Sequence, residues 1–461
     1  MSPAFCRRKI ARPLCLYGRL NRMTKTPELL APAGTLQKLR YAIAYGADAV
    51  YAGMPRYSLR VRENDFSRLE QLQQGIDTVR AAGKHFYLAT NLLPHNRKLQ
   101  TFVDDMAPIM AMKPDALIMA DPGLIMWVRE RWPEIPVHLS VQANTVNYAS
   151  VQFWQSVGIK RVILSRELSL EEIEEIRQRC PDMEIEVFVH GALCIAYSGR
   201  CLLSGYFNHR DANQGTCTNS CRWQYDVHKA ESDITGDTVM SATSQTGNGA
   251  RHAMASQSYL LEERERPGDF LPIEEDENGT YVMNSRDLRA VEHVEKLVQI
   301  GVDSLKIEGR TKSYYYVARA AQVYRQAIDD AVAGRPFDAG LLGKLEHLAN
   351  RGYTDGFLKR HPSQDYQNYL EQQSSSNLSR FVGEFTGYDD ATGMAEIEVK
   401  NKFAVGDKLE LVLPEGNRDF VLERLEDMDG RSLHEVPGGG YRVRIPLNRE
   451  DYSMGLLARY F

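Results

Sequence analysis

The sequence predicts an α/β protein: a (β/α)8 TIM-barrel-like N-terminal domain with a cysteine-containing insertion, then a small C-terminal all-β barrel domain. Three observations predict it. Between residues 28 and 310, eight short apolar runs alternate with stretches whose apolar residues recur three or four apart. The seventh and eighth runs are separated by a long polar segment rich in Cys, Gly and Asn. From Phe381 onward the apolar period changes to two, with Gly and Asp turns between the runs.

The eight runs are 28–34, 48–53, 85–91, 116–121, 137–144, 161–167, 185–191 and 304–310. Several of the helical stretches between them end in Gly (Gly46, Gly83, Gly158, Gly301), which suits a helix C-cap feeding the next strand. Eight units in series read as a closed barrel, with a doubly wound sheet as the structural alternative. After the eighth run "SYYYVARAAQVYRQAIDDAVAG" completes the barrel as a helix. The "AEIEVK", "KLELVL", "DFVLERL" and "YRVRIPL" segments form the β domain. The expected organisation is therefore a basic extension over 1–26, a barrel over 27–366 with its insertion at 192–280, a linker at 367–379 and the β domain at 380–461.

Composition narrows the class. Of 461 residues, 43% are hydrophobic and 25% charged, enough for a proper core, and no apolar run is long enough to span a bilayer. A net charge of -5 gives no global attraction to nucleic acid, so an RNA partner would need a local basic patch. The basic N-terminus before Met23 is read as sequence upstream of a misplaced start, ahead of a targeting peptide or an RNA-touching arm. Seven cysteines are too few for a disulfide scaffold, and the expected compartment is the cytoplasm.

In a barrel of this kind the loops after the strands form the active face. The polar residues at those strand ends are Asn91, Asp121, Gln142, Asn144, Arg166, Glu167, His190, Glu308 and Arg310. His190 is a candidate proton donor or partner to a metal ligand. Glu308 is a candidate acid or base, with Arg310 binding a substrate carboxylate, or the two pair with each other. Arg56, Arg60 and Arg62 follow the second run and suit phosphate or carboxylate recognition. The cysteines Cys194, Cys201, Cys217 and Cys221 are separated by six, fifteen and three residues. Four thiolates suit a closed zinc site, a four-iron cluster or a group of reduced thiols, and the irregular spacing favours the cluster.

The stretch "EVFVHGALCIAYSGRCLLS" fits E-x-F-x2-G-[SA]-aliphatic-C-x4-G-x-C-x-aliphatic-S, the signature of the collagenase-like peptidase family U-32, and the chain resembles that family over nearly its whole length after Pro27. "HLSVQANTVN", "GTCTNSCRW", "MNSRDL" and "SLKIEGRTKS" make it most similar to the branch of prephenate-dependent tRNA uridine hydroxylases. The resemblance implies oxygen-independent hydroxylation of the wobble uridine of tRNA to 5-hydroxyuridine, with prephenate as co-substrate. It also implies a 4Fe-4S cluster on Cys194, Cys201 and Cys217, with Cys221 as fourth ligand, and dependence on iron-sulfur cluster assembly machinery. Arg60, Arg62, Gln142, Asn144, Arg166 and Arg310 are then the candidates for binding substrate, and Tyr197, Tyr206 or Trp223 for stacking on a base. The family's older name supports the opposing reading, a peptidase using Cys194 with His190.

Overall fold

The computed structural model describes residues 25–54, 56–58, 65–193, 197, 198, 200, 201, 286–348, 350, 352–359, 379–448 and 452–461, and the backbone of five short strands between 230 and 281. Eight parallel strands close on themselves: β1 (Glu28–Pro32), β2 (Ala49–Gly53), β3 (His85–Ala89), β4 (Ala116–Met119), β5 (Val137–Leu139), β6 (Arg161–Ile163), β7 (Glu184–Ala192) and β8 (Ser304–Ile307). Closure runs through β8, which pairs with β1 at Glu28↔Ser304 and with β7 at Ser304↔Glu186. A doubly wound sheet is thereby excluded. All strands but β7 are shorter than the apolar runs. Strand 5 stops at Leu139, because Ser140 accepts from the Gln142 amide and starts a 3-10 turn over Val141–Ala143.

Helices wrap the barrel with caps the sequence encodes. Ser169 and Glu172 form a reciprocal capping box on the helix Leu170–Arg179. Asp121, one of the strand-end candidates, instead caps the helix Pro122–Arg131 by accepting from the Leu124 amide. Within the insertion, the strands Ala230–Ser232 and Thr238–Met240 pair antiparallel, as do Tyr259–Glu262 with Phe270–Asp276 and the latter with Gly279–Tyr281. The extension 1–24 and most of the linker lie outside the described residues.

The barrel interior is polar along one line. Arg161 Nη1 lies 2.6 Å from Glu28 Oε1 and 3.3 Å from Glu186 Oε2, and Lys306 Nζ lies 2.7 Å from Glu186 Oε1. Tyr87 donates to Glu28 at 2.6 Å and Ser304 donates to it at 3.0 Å. All four charged groups sit on inward-facing strand positions, so each loses hydration that only its neighbours replace.

His190 illustrates how one residue redirects a strand. On β7, Phe188 pairs with Lys306 but His190, two residues on, pairs with Ile307. The extra residue is a β-bulge, which reverses the in-out alternation beyond it. The His190 ring therefore leaves the barrel lumen and packs among Tyr316, Tyr324 and Tyr353, with centroids 5.6, 5.5 and 5.6 Å away. Burial holds its pKa down to about 3, against the weaker opposing pull of Asp287.

The C-terminal domain is an eight-stranded antiparallel sheet with a two-stranded ribbon, Phe403–Ala404 with Glu435–Val436, around its own core of Val382, Ile397, Phe403 and Leu457. It docks on the helix Tyr314–Val332, where the fully buried Arg319 donates to Glu410 Oε1 at 2.8 Å. Tyr45 reaches across to the Val412 and Met454 carbonyls, both at 2.9 Å. Among the described residues no helix is long and apolar enough to cross a membrane.

Two predictions follow from this packing. Arg319→Ala strands the Glu410 carboxylate in the domain interface and should cost about 3–5 kcal/mol in urea unfolding, whereas Arg319→Met with Glu410→Leu should recover most of it. A single variant as stable as the native chain would contradict this account of the interface. The fold keeps His190 neutral while the unfolded chain takes up a proton near pH 6.5, so its contribution is whole above that pH and is lost as pH falls from 6.5 toward 3. His190→Phe should flatten the stability profile in that window by about 1.4 kcal/mol per pH unit. An unchanged slope would show that the ring is protonated in the fold.

Candidate active site at the barrel mouth

A cavity of about 140 Å³ opens where the strands end, lined among others by Tyr51, Asn91, Gln142, Arg166, Phe188, Lys306, Glu308 and Arg310. Its walls come from β2, β3, β4, β6, β7 and β8 and from the turn after β5, so distant parts of the sequence meet there. The structure thus brings together Asn91, Gln142, Arg166, Glu308 and Arg310 from the expected set.

Glu308 does not pair with Arg310. Its Oε2 accepts from Arg166 Nη2 at 2.7 Å, and the Arg166 guanidinium lies 3.7 Å from the centroid of the Phe188 ring. Stacking on the ring and bonding to the carboxylate fix the guanidinium plane. Arg310 instead donates from Nη1 to Ser58 Oγ at 2.9 Å, and its carbonyl accepts from Lys38 Nζ at 3.1 Å. That placement requires Gly53, where a Cβ would fall 2.1 Å from Arg310 Nη1. Gly191 of the signature meets an equal constraint: its φ is +108°, and a Cβ would lie 2.6 Å from the Glu308 carbonyl oxygen. The Glu308 backbone is held further by its own amide, which donates to the His190 carbonyl at 2.8 Å, and by Tyr316 Oη, which donates to its carbonyl at 2.8 Å.

On the opposite wall Asn91 Nδ2 donates to Ser140 Oγ at 3.2 Å. Asn144 adopts a left-handed conformation at φ 50° and its Nδ2 donates to the carbonyls of Gln142, at 2.8 Å, and Ser198, at 3.2 Å. The second bond ties the start of the cysteine loop to the cavity, whose lining includes Ser198.

Other candidates lie elsewhere. Glu167 accepts from Ser165 beside the mouth, and Arg56 pairs with Asp105 at 2.9 Å. His190 is not brought to the cavity, because of the bulge described above. Its enclosed, neutral ring does not present a base to a nucleophilic cysteine. Arg60, Arg62, Cys194, Tyr206, Cys217, Cys221 and Trp223 lie outside the described residues. Cys201 is half-buried, three residues beyond Ser198. Four thiols between residues 194 and 221 are the donor number a cubane cluster would need.

Tyr51, Phe188 and Lys306 line the cavity and were missed. Lys306 lines the cavity with its Nζ 4.4 Å from the Tyr51 ring centroid, and burial lowers its pKa while Glu186 opposes that shift. Its signal was a lysine at an inward position between Leu305 and Ile307 in a strand otherwise apolar.

Comparison with known proteins places this geometry in a family. The chain is 59% identical over 444 residues to "tRNA hydroxylation protein P" of Escherichia coli (strain K12), covering 94% of this chain and 97% of the relative. It is 56% identical over 445 residues to the protein of the same name in Haemophilus influenzae, covering 94% and 96%. It is 34% identical over 442 residues to "tRNA hydroxylation protein P1" of Bacillus subtilis (strain 168), covering 95% and 96%. The family profile "Peptidase family U32" matches residues 34–368 and "Peptidase family U32 C-terminal domain" matches residues 378–459. Spanning both the barrel with its mouth cavity and the β domain, these matches show that the chain belongs to peptidase family U32.

Proposed function

We propose that this protein is a tRNA-modifying hydroxylase that converts the wobble uridine to 5-hydroxyuridine without molecular oxygen, with prephenate as co-substrate. The observation that carries the reading is the full-length similarity to proteins named for tRNA hydroxylation, at identities up to 59%. A peptidase is the weaker reading, since the base it needs beside Cys194 is enclosed in a tyrosine cage.

Replacing the hydrogen on C5 of uridine by hydroxyl takes up one oxygen atom and removes two electrons, and without O2 the co-substrate has to provide both as oxygen donor and two-electron acceptor; a 4Fe-4S cluster, if held by Cys194, Cys201, Cys217 and Cys221, would supply one-electron transfer between them. The protein's own groups do the rest. Glu308, whose Oε2 is held by Arg166, is the carboxylate at the cavity that would take or return a proton. Arg310, with Arg60 and Arg62 on the neighbouring loop, supplies cations for the two carboxylates of prephenate. A tRNA substrate is consistent with a cytoplasmic enzyme served by cluster assembly machinery.

The test is a gene deletion grown without air, so that no oxygen-dependent route contributes, with tRNA nucleosides quantified by mass spectrometry. The native gene should restore 5-hydroxyuridine and its derivatives. Cys201→Ala should leave them at the deletion level and yield a purified protein lacking the brown colour of the native one. Glu308→Gln should keep the colour and lose most of the product. Unchanged nucleosides on deletion would refute the tRNA reading.

A further inference from the structure

We propose that the mouth cavity is a pocket for one extruded pyrimidine base and that Gln142 is the specificity-determining residue that reads the base's imide edge. The inference rests on the tRNA reading above and adds what the pocket holds and which residue chooses it.

Gln142 is 3% exposed, lines the cavity, and neither its Oε1 nor its Nε2 has a hydrogen-bond partner. A buried amide left in that state costs the fold stability, and its backbone is not free to move toward a partner. The Gln142 amide donates to Ser140 Oγ at 3.4 Å and its carbonyl accepts from Asn144 at 2.8 Å, which pins the turn on both sides. A base entering the cavity would complete the side chain once its amide turns toward it.

Size, charge and hydrogen-bond pattern select that ligand. A cavity of about 140 Å³ matches one six-membered ring, since an apolar cavity of about 150 Å³ takes up benzene. Two of the cations around it are already matched, Arg166 by Glu308 and Lys306 by Glu186. Arg310 and Lys312, half-buried on the segment past β8, also line it. The cations rooted in the strand ends are thus neutralised within the wall, which suits an uncharged base. Tyr51, Phe188 and the Arg166 guanidinium provide flat faces for stacking. The amide of Gln142 offers one donor and one acceptor side by side. Uracil presents the complement: its N3–H donates to Oε1 and an adjacent carbonyl oxygen accepts from Nε2. A carboxylate would call for donors alone.

The test measures binding of an anticodon stem-loop RNA to the full-length protein, with uridine, 3-methyluridine or an abasic site at the wobble position. The native protein should prefer uridine over 3-methyluridine by about tenfold, the effect of one two-point contact. Gln142→Ala and the shape-conserving Gln142→Glu should bind both loops with the affinity the native protein shows for 3-methyluridine, with thermal unfolding confirming that each is folded. Equal binding of the two loops by the native protein, or a preference retained by Gln142→Ala, would overturn the assignment while leaving the tRNA reading intact. Binding of the stem-loop no tighter than a duplex RNA would sink both. Calorimetry with prephenate closes the remaining route: a tenfold loss of its affinity in Gln142→Ala would give Gln142 to the anion and overturn the base pocket.

Discussion

Charges threaded through the barrel from Glu28 to Arg161, Glu186 and Lys306 set the position of the cavity above them. Each member sits on a different strand, β1, β6, β7 or β8, so the chain of contacts links the strands that close the barrel. Removing any one would leave its neighbour charged in a low-dielectric interior, a far larger penalty than losing a surface pair. Such a network specifies register, because a one-residue slip of β8 would turn Lys306 away from Glu186. It also explains a lysine on the cavity floor: the lumen holds the ammonium from below, and the Tyr51 and Phe188 rings lie beside it above.

The helix Tyr314–Val332 carries this order outward. Tyr316 on it holds the Glu308 carbonyl, Tyr324 donates to the Val189 carbonyl at 2.6 Å, and Arg319 is buried against Glu410 of the β domain. One helix therefore touches the ends of β7 and β8 on one side and the C-terminal sheet on the other. The β domain braces the catalytic face from behind, with Glu384 accepting from Tyr41 at 2.8 Å and from Tyr314 at 2.9 Å. A disturbance at that interface is expected to reach Glu308 through backbone contacts rather than through the substrate.

Much of this was legible before any coordinates. Buried parallel strands need apolar runs between turn signals, and the eight runs stand out for that reason. Strand ends gave Asn91, Gln142, Arg166, Glu308 and Arg310, which meet at the cavity. Pairing was not legible: Glu308 and Arg310 are two apart in sequence, yet the twist of the mouth gives the first to Arg166 and the second to Ser58. His190 was misplaced because a bulge adds one residue to one strand of a pair, and no composition marks it. Lys306 and Glu186 escaped notice because a charge inside an apolar run normally marks a strand's solvent face, and only closure of the barrel gives such charges an interior partner.

On the proposed function, RNA chemistry takes place in this cavity rather than on the β domain. Photocrosslinking tests it most directly, with 5-iodouridine at the wobble position of an anticodon stem-loop and the crosslinked peptide identified by mass spectrometry. The account predicts attachment at Tyr51 or Phe188, whose rings line the pocket. Attachment confined to residues of the C-terminal sheet would contradict it.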